Sequence, residues 1–220
     1  MVKQERALRT RRSLIRAAAE VFAEEGYAPA SLTTISKRAG VSNGALHFHF
    51  ASKQALARAV EEEASESLRR ITGPVAEAEG GMLQVLVDAT YGLMNRLAGD
   101  VVVRAGFELG GDRCRGGADS RLRRDWQQWV EEALRRVQRE GRLAEGVSPD
   151  TAAAVIVAVT VGFEVLGAGN PGWLTERSFG GFWELLLPGL AQEPGQVSAC
   201  PGEGRGGGPG GGPDGGRPGF

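Results

Sequence analysis

Of 220 residues, only two are cysteine and two are histidine. Cys114 and Cys200 lie far apart and neither belongs to a C-x-x-C pair, which excludes a zinc ribbon and a thiol redox motif. His47 and His49 sit two positions apart and would point about 200° from each other on a helix, whereas zinc ligands on one helix prefer i, i+4. No metal site is expected. G-x-S-x-G, H-E-x-x-H and P-loop patterns are missing, and no cofactor is expected. No run of roughly 18 apolar residues occurs, the length that a membrane span requires. The segment Met1 to Arg12 is charged and lacks the apolar stretch of a secretion signal, so the expected compartment is the cytoplasm and a disulfide staple is not expected. An excess of charge of one sign is also lacking. The net charge is −1, which excludes a uniformly basic coat for nucleic acid.

What is present is unevenly spread. Residues 1–60 hold ten Lys/Arg against four Asp/Glu, and residues 61–220 hold sixteen against twenty-three. No acid occurs between Tyr27 and Arg58. One end of the chain is therefore suited to an anionic partner and the rest is not. Hydrophobic residues make up 41%, enough for a core, and they recur at helical rather than alternating spacing.

The expected fold class is all-α. Leu14, Ala17, Ala18, Val21 and Phe22 form one face of a first helix from about Lys3, ended by Gly26. Ser31 or Thr33 caps a second helix through Ala39, Ser42 a third through His49, and Ser52 a fourth from Lys53 to about Ile71. Further helices are expected over Gly81–Ala98, Asp100–Leu109 and Ser120–Glu140. One more starts at Ser148-Pro149-Asp150 and runs to about Leu166, and the last spans Glu176–Leu190. Gly110 to Gly117 reads as a mobile loop. From Pro194 to Phe220, seventeen of twenty-seven residues are Gly or Pro, so this tail is expected to be disordered. The expected division is a three-helix N-terminal unit over 1–52, a larger helical unit over 53–192, and the tail over 193–220.

Leu32 to Phe50, LTTISKRAGVSNGALHFHF, reads as helix, glycine-containing turn, helix. Ile35, Ala39, Val41, Leu46 and Phe50 are spaced to pack on Val21, Phe22 and Leu56. Ser42, Asn43, Gly44, Ala45, His47 and His49 remain outward on the third helix. These groups are small or hydrogen-bonding. Such a helix fits the major groove, where Asn can pair with an adenine edge and small residues permit close approach. The local positive charge favours the same partner.

The span from Arg9 to about Leu68 resembles the DNA-binding domain of TetR-type transcriptional repressors through AAAEVFAEEGY, LTTISKRAGVSNGALHFHF and SKQAL. Within that family, GALHFHF followed by SKQALA is similar to the γ-butyrolactone autoregulator receptors of actinomycetes and their pseudo-receptor relatives. The resemblance implies a homodimer whose first three helices bind operator DNA and whose remaining helices bind a small ligand. It places Thr33, Ser42, Asn43, Gly44, His47, His49 and Lys53 at the DNA. Two positions depart from the subgroup: Asn43 stands where Lys is frequent, and His47 where Tyr is usual. The resemblance also places Trp126 at a lactone pocket. Leu86, Thr90, Leu93, Met94, Phe107, Val130, Phe163 and Trp183 would complete an apolar cavity suited to a γ-butyrolactone-like signal or an antibiotic-like product. The alternative for Trp126 is an ordinary core position. Ala152, Ala153, Ala154, Ala158 and Gly162, with Phe179, Phe182 and Leu186, read as a four-helix dimer interface. Glu164 is expected to be paired or partly exposed.

Two other readings compete. Gly167-Ala168-Gly169-Asn170-Pro171-Gly172 matches G-x-G-x-x-G, the dinucleotide fingerprint, if the apolar run before it is a strand. The chain also fits a ligand-binding or protein-interaction module without sequence-specific DNA binding.

Overall fold

The computed structural model describes residues 2–73, 81–111 and 121–201, and within them it contains nine α-helices. The N-terminal group is α1 (Val2–Glu25), α2 (Leu32–Arg38), α3 (Asn43–His49) and α4 (Lys53–Thr72). The larger group is α5 (Gly81–Gly99), α6 (Val101–Gly111), α7 (Arg121–Arg139), α8 (Pro149–Gly169) and α9 (Glu176–Leu190). Gly110 and Gly111 thus close α6, and the rest of the expected mobile loop lies outside the described residues.

The boundaries follow from capping. Ser31, Ser42 and Ser52 each accept the backbone N–H three residues on, at 3.0, 3.2 and 3.1 Å. Ser148 does the same for α8 with Thr151, behind Pro149 in the first turn. Each cap satisfies one orphan donor and contributes about 1 kcal/mol. Gly26 ends α1 at φ +82°, a left-handed position where a side chain would be strained.

Two cores result. The head core joins Leu14, Val21, Phe22, Ile35, Leu46, Phe50, Leu56 and Val60, and the body core joins Leu86, Met94, Trp126, Leu134, Ile156 and Trp183. No break falls at residue 52, because α4 divides between the cores: Leu56 to Val60 pack in the head, Ala64 and Leu68 in the body. The fourth helix continues the head's apolar stripe, so the division lies inside it. α6 is two-faced as well. Val102, Ala105 and Leu109 turn to the head and Val103 and Phe107 to the body, the i, i+3, i+7 and i, i+4 spacings of opposite stripes. α4 and α6 cross closely at Gly106, where an added Cβ would stand 2.4 Å from the Cβ of Ala64.

The segment preceding Gly167 is helix α8, not a strand, so the dinucleotide fingerprint has no phosphate-binding strand–turn–helix to belong to. α8 is long and apolar enough to span a membrane by length and composition alone, with a mean hydropathy of 2.0 over its most apolar window. A third of that window is buried inside the fold. Its inner face carries Ala152, Ala153, Ile156, Thr160 and Glu164. Ala152 and Ala153, together with Phe179 of α9, therefore belong to this chain's own core rather than to an interface. Ala154, Val155, Ala158, Val165 and Leu166 face outward, and so does Leu185 of α9, with Phe182 and Leu186 half-buried beside it.

Part of the segment expected to be disordered, residues 194–201, is instead packed on the fold. Leu143 and Ala191 form an antiparallel bridge, flanked by Ala144 N–H to Leu190 O at 2.9 Å and Gln192 N–H to Arg142 O at 2.8 Å. Beyond a 3-10 turn at Pro194–Gln196, the chain lies across α5. Ser198 N–H donates to Gln84 Oε1 at 2.8 Å, and Tyr91 Oη donates to Ala199 O at 3.0 Å. Val197 and Ala199 pack on the body core. The reason is local: Gln84 and Tyr91 supply partners that Gly and Pro content does not register, and fourteen of the nineteen residues after Pro201 are Gly or Pro. Those nineteen lie outside the described residues.

Candidate DNA-binding face and ligand core

α2 and α3 are joined by burial of Ile35 and Leu46, both fully inaccessible. That packing leaves Thr33, Ser42, Asn43, Gly44 and His47 exposed, with Ala45 and His49 half-buried at the edges. Gly44 has room on every side: an added Cβ would meet nothing closer than Ser42 Oγ at 3.9 Å. The fold itself therefore does not require glycine there. Its small size matters to a surface approaching from outside.

Asn43 is less free than a lone base-reading side chain would be. Its Oδ1 accepts from Ser36 Oγ at 2.7 Å, and its Nδ2 donates to Thr33 Oγ1 at 3.5 Å. Ser36 is buried on α2, so Asn43 pins the start of α3 to α2 and keeps an amide proton to offer outward. Lys53 is placed differently from the expectation. Its Nζ donates to the carbonyls of Tyr27, Ala28 and Ala30 at 2.8, 2.9 and 2.9 Å and lies 4.6 Å from the Tyr27 ring. All three ammonium protons are used, so Lys53 holds the α1–α2 turn closed instead of reaching for DNA. Arg38 is likewise engaged, bidentate to Glu24 at 2.9 and 2.7 Å, and this hydrogen bonding holds the Glu24 carboxyl below its ordinary range. Phe48, outside the set of residues expected at DNA, is 84% exposed and meets His49 edge-on at 5.3 Å. Its position two residues from both Leu46 and Phe50 turns it away from the core, which is the signal that was available.

In the body, Leu86, Thr90, Leu93, Met94, Phe107, Trp126, Val130 and Trp183 are all buried in one core, with Phe163 half-buried against it. Both inner indoles are satisfied. Trp126 Nε1 donates to Thr160 Oγ1 at 2.9 Å, and Trp183 Nε1 donates to Thr90 Oγ1 at 2.8 Å. Trp129 stacks on Trp126 with centroids 5.3 Å apart. It also lines a cleft of about 660 Å³ with Thr72, Met82 and Ala133, so the tryptophan pair connects solvent to the core. Glu164 is buried and paired, bidentate to Arg123 at 2.8 and 2.9 Å. Burial raises the nearby Glu108 carboxyl above its ordinary range, against the pull of Arg104 and with a push from Glu164. Among the described residues no group of three His, Cys, Asp or Glu side chains could hold a metal ion.

The family model for bacterial regulatory proteins of the tetR family matches residues 14–60. The A-factor receptor protein of Streptomyces griseus is 33% identical over 209 residues, spanning 93% of this chain and 72% of its own. A solved gamma-butyrolactone receptor (ArpA-like protein) superposes with a TM-score of 0.68 at 29% identity, over 84% of this chain and 90% of the other. CprB from Streptomyces coelicolor, in complex with its biological operator sequence, gives the same TM-score, identity and coverage.

Proposed function

The chain belongs to the TetR family of bacterial regulatory proteins, and on that premise we propose that it is a homodimeric, ligand-responsive repressor of its target genes. The observation that carries this reading is the exposed α3 surface. Asn43, Gly44 and His47 stand beside Thr33 and Ser42, small or hydrogen-bonding throughout, in a stretch without acids from Tyr27 to Arg58. An α-helix with that surface suits base edges in the major groove. Two such helices would occupy successive grooves of a pseudopalindromic operator, about 34–36 Å apart. The outward apolar faces of α8 and α9 serve as the dimer contact. Operator-bound dimer obstructs transcription sterically.

The ligand is a small hydrophobic molecule, γ-butyrolactone-like or an antibiotic or biosynthetic intermediate, received around Trp126. The similarity to a solved gamma-butyrolactone receptor supports that class, and with it control of secondary-metabolite genes. The protein acts in the cytoplasm, without a cofactor and without catalysis. Release is a population shift: the ligand binds better to the conformation whose α3 helices are wrongly spaced. α4 and α6 carry that shift, because each has residues in both cores and they meet at Gly106 without room for a methyl group.

The test is a gel shift on the duplex upstream of the protein's own gene, challenged with culture extract. A retarded band that extract abolishes is the expected result. A band that persists at every extract concentration, while Trp126→Phe behaves identically, contradicts ligand control through this core.

A further inference from the structure

α1 is longer than its core requires. At 24 residues it extends about 36 Å, and its first fully buried residue is Leu14. Roughly 18 Å of helix therefore stands ahead of the head core. This part carries Arg6, Arg9 and Arg12, all exposed, with Glu5 its one acid. Arginines at i, i+3 and i+6 repel one another along a helix, a local cost that an anion alongside would remove. Many arginines elsewhere are paired, among them Arg16 with Glu20, Arg38 with Glu24, Arg123 with Glu164 and Arg136 with Glu140. Arg6, Arg9 and Arg12 form no ion pair among the described residues.

The position of this stretch matters as much as its charge. Arg11 lies 5.3 Å from the ring of Phe50, the residue that closes α3, and Ser13 Oγ donates to Ala39 O at the end of α2. The basic helix thus starts beside the helix-turn-helix and runs outward from it. We propose that Arg6, Arg9 and Arg12 form a rigid arm that binds the phosphate backbone flanking the stretch of operator that α3 reads. The proposal rests on the DNA-binding reading given above. A guanidinium suits phosphate through two parallel N–H donors. Because the arm is already helical, its backbone does not have to be ordered on binding, unlike a flexible basic tail. Its hydrogen bonds carry no base information. They add affinity, salt dependence and a requirement for duplex beyond the half-sites.

The experiment is fluorescence anisotropy of the full chain and its R6Q/R9Q/R12Q variant on a duplex from the gene's own upstream region. Salt is varied from about 50 to about 200 mM, a range over which phosphate neutralisation dominates the change in affinity. The side chains are exposed, so the variant should keep the wild-type melting temperature. The expected result is a log K against log salt slope smaller by about 0.9 for each phosphate that the arm neutralises, with the ranking of base variants unchanged. Trimming the flanks should weaken wild type and leave the variant unaffected, and R6K/R9K/R12K should restore most of the slope. A variant with the wild-type slope, or one equally sensitive to trimming, overturns the arm. If wild type fails to prefer its upstream duplex over a shuffled one, the DNA-binding reading itself fails.

Discussion

The exposed α2–α3 surface of the head and the core of the body differ in how far apart in sequence their decisive pairings lie. In the head, Ser36 meets Asn43 across 7 residues and Asn43 meets Thr33 across 10. Three serines cap three helices from three residues away. In the body, Trp126 meets Thr160 across 34 residues, Arg123 meets Glu164 across 41, Trp183 meets Thr90 across 93 and Ser198 meets Gln84 across 114. Local chemistry shapes a surface that must keep one geometry. Distant pairings shape the core that is proposed to receive the ligand. The two are nevertheless not separate bodies, because α4 and α6 contribute to both cores.

The strongest way to break the comparison is Trp126→Ala. Removing a fully buried indole costs about 3–5 kcal/mol. If α4 and α6 couple the cores, calorimetry shows one transition moved downward; a head that melts separately at its wild-type temperature would make the division sharper than described. Next in size is the segment 193–201 laid across α5. A chain ended at Gln192 loses the partners of Gln84 and Tyr91 and should be less stable by about 1–3 kcal/mol, whereas one ended at Pro201 should melt like the full chain. Equal urea midpoints for the two would show that the segment over α5 holds nothing. Ser42→Ala comes third. It should cost about 1 kcal/mol by removing the α3 cap and should weaken operator binding while leaving ligand response intact. The smallest effect concerns pH. Burial, with the nearby charges of Cys200, Glu176 and Glu184, pushes the Tyr91 hydroxyl up to about 12 from its ordinary 10.0. The folded state thus keeps this proton longer than the unfolded chain does. Its contribution to stability is whole below about pH 10 and is lost as pH rises towards about 12. Tyr91→Phe should flatten the urea midpoint over that window, and a variant that falls in parallel with wild type would assign the loss to other groups.

The same contrast explains what the sequence disclosed. Every helix was legible: Ser42, Ser52 and Ser148 are caps and Gly26 is a terminator by rules that act within four residues, Ser31 or Thr33 was open as the cap of α2, and apolar spacing marked the others. The outward face of α3 was legible because burial of Ile35 and Leu46 leaves little choice. Lys53 was not: nothing near it in sequence says that three carbonyls from the α1–α2 turn converge on its ammonium. Arg123, partner of Glu164, was invisible for the same reason. The packed stretch Glu193–Pro201 was hidden by averaging it with the Gly-rich residues after it. Ala152, Ala153 and Phe179 show the limit for the apolar helices. On α8 both the inner and the outer faces are apolar, so periodicity does not tell core from interface.

The central claim is that the surface from Ser42 to His49 reads operator DNA. Its most direct measurement is a competition titration in which the full chain, bound to a labelled duplex from its own upstream region, is challenged with unlabelled duplexes, one identical and one shuffled. Displacement by the identical duplex at concentrations at least about 10³-fold below the shuffled one is the result predicted, the lower end of what specific binding achieves. Asn43→Ala should narrow that ratio. Equal displacement by both duplexes would contradict the account.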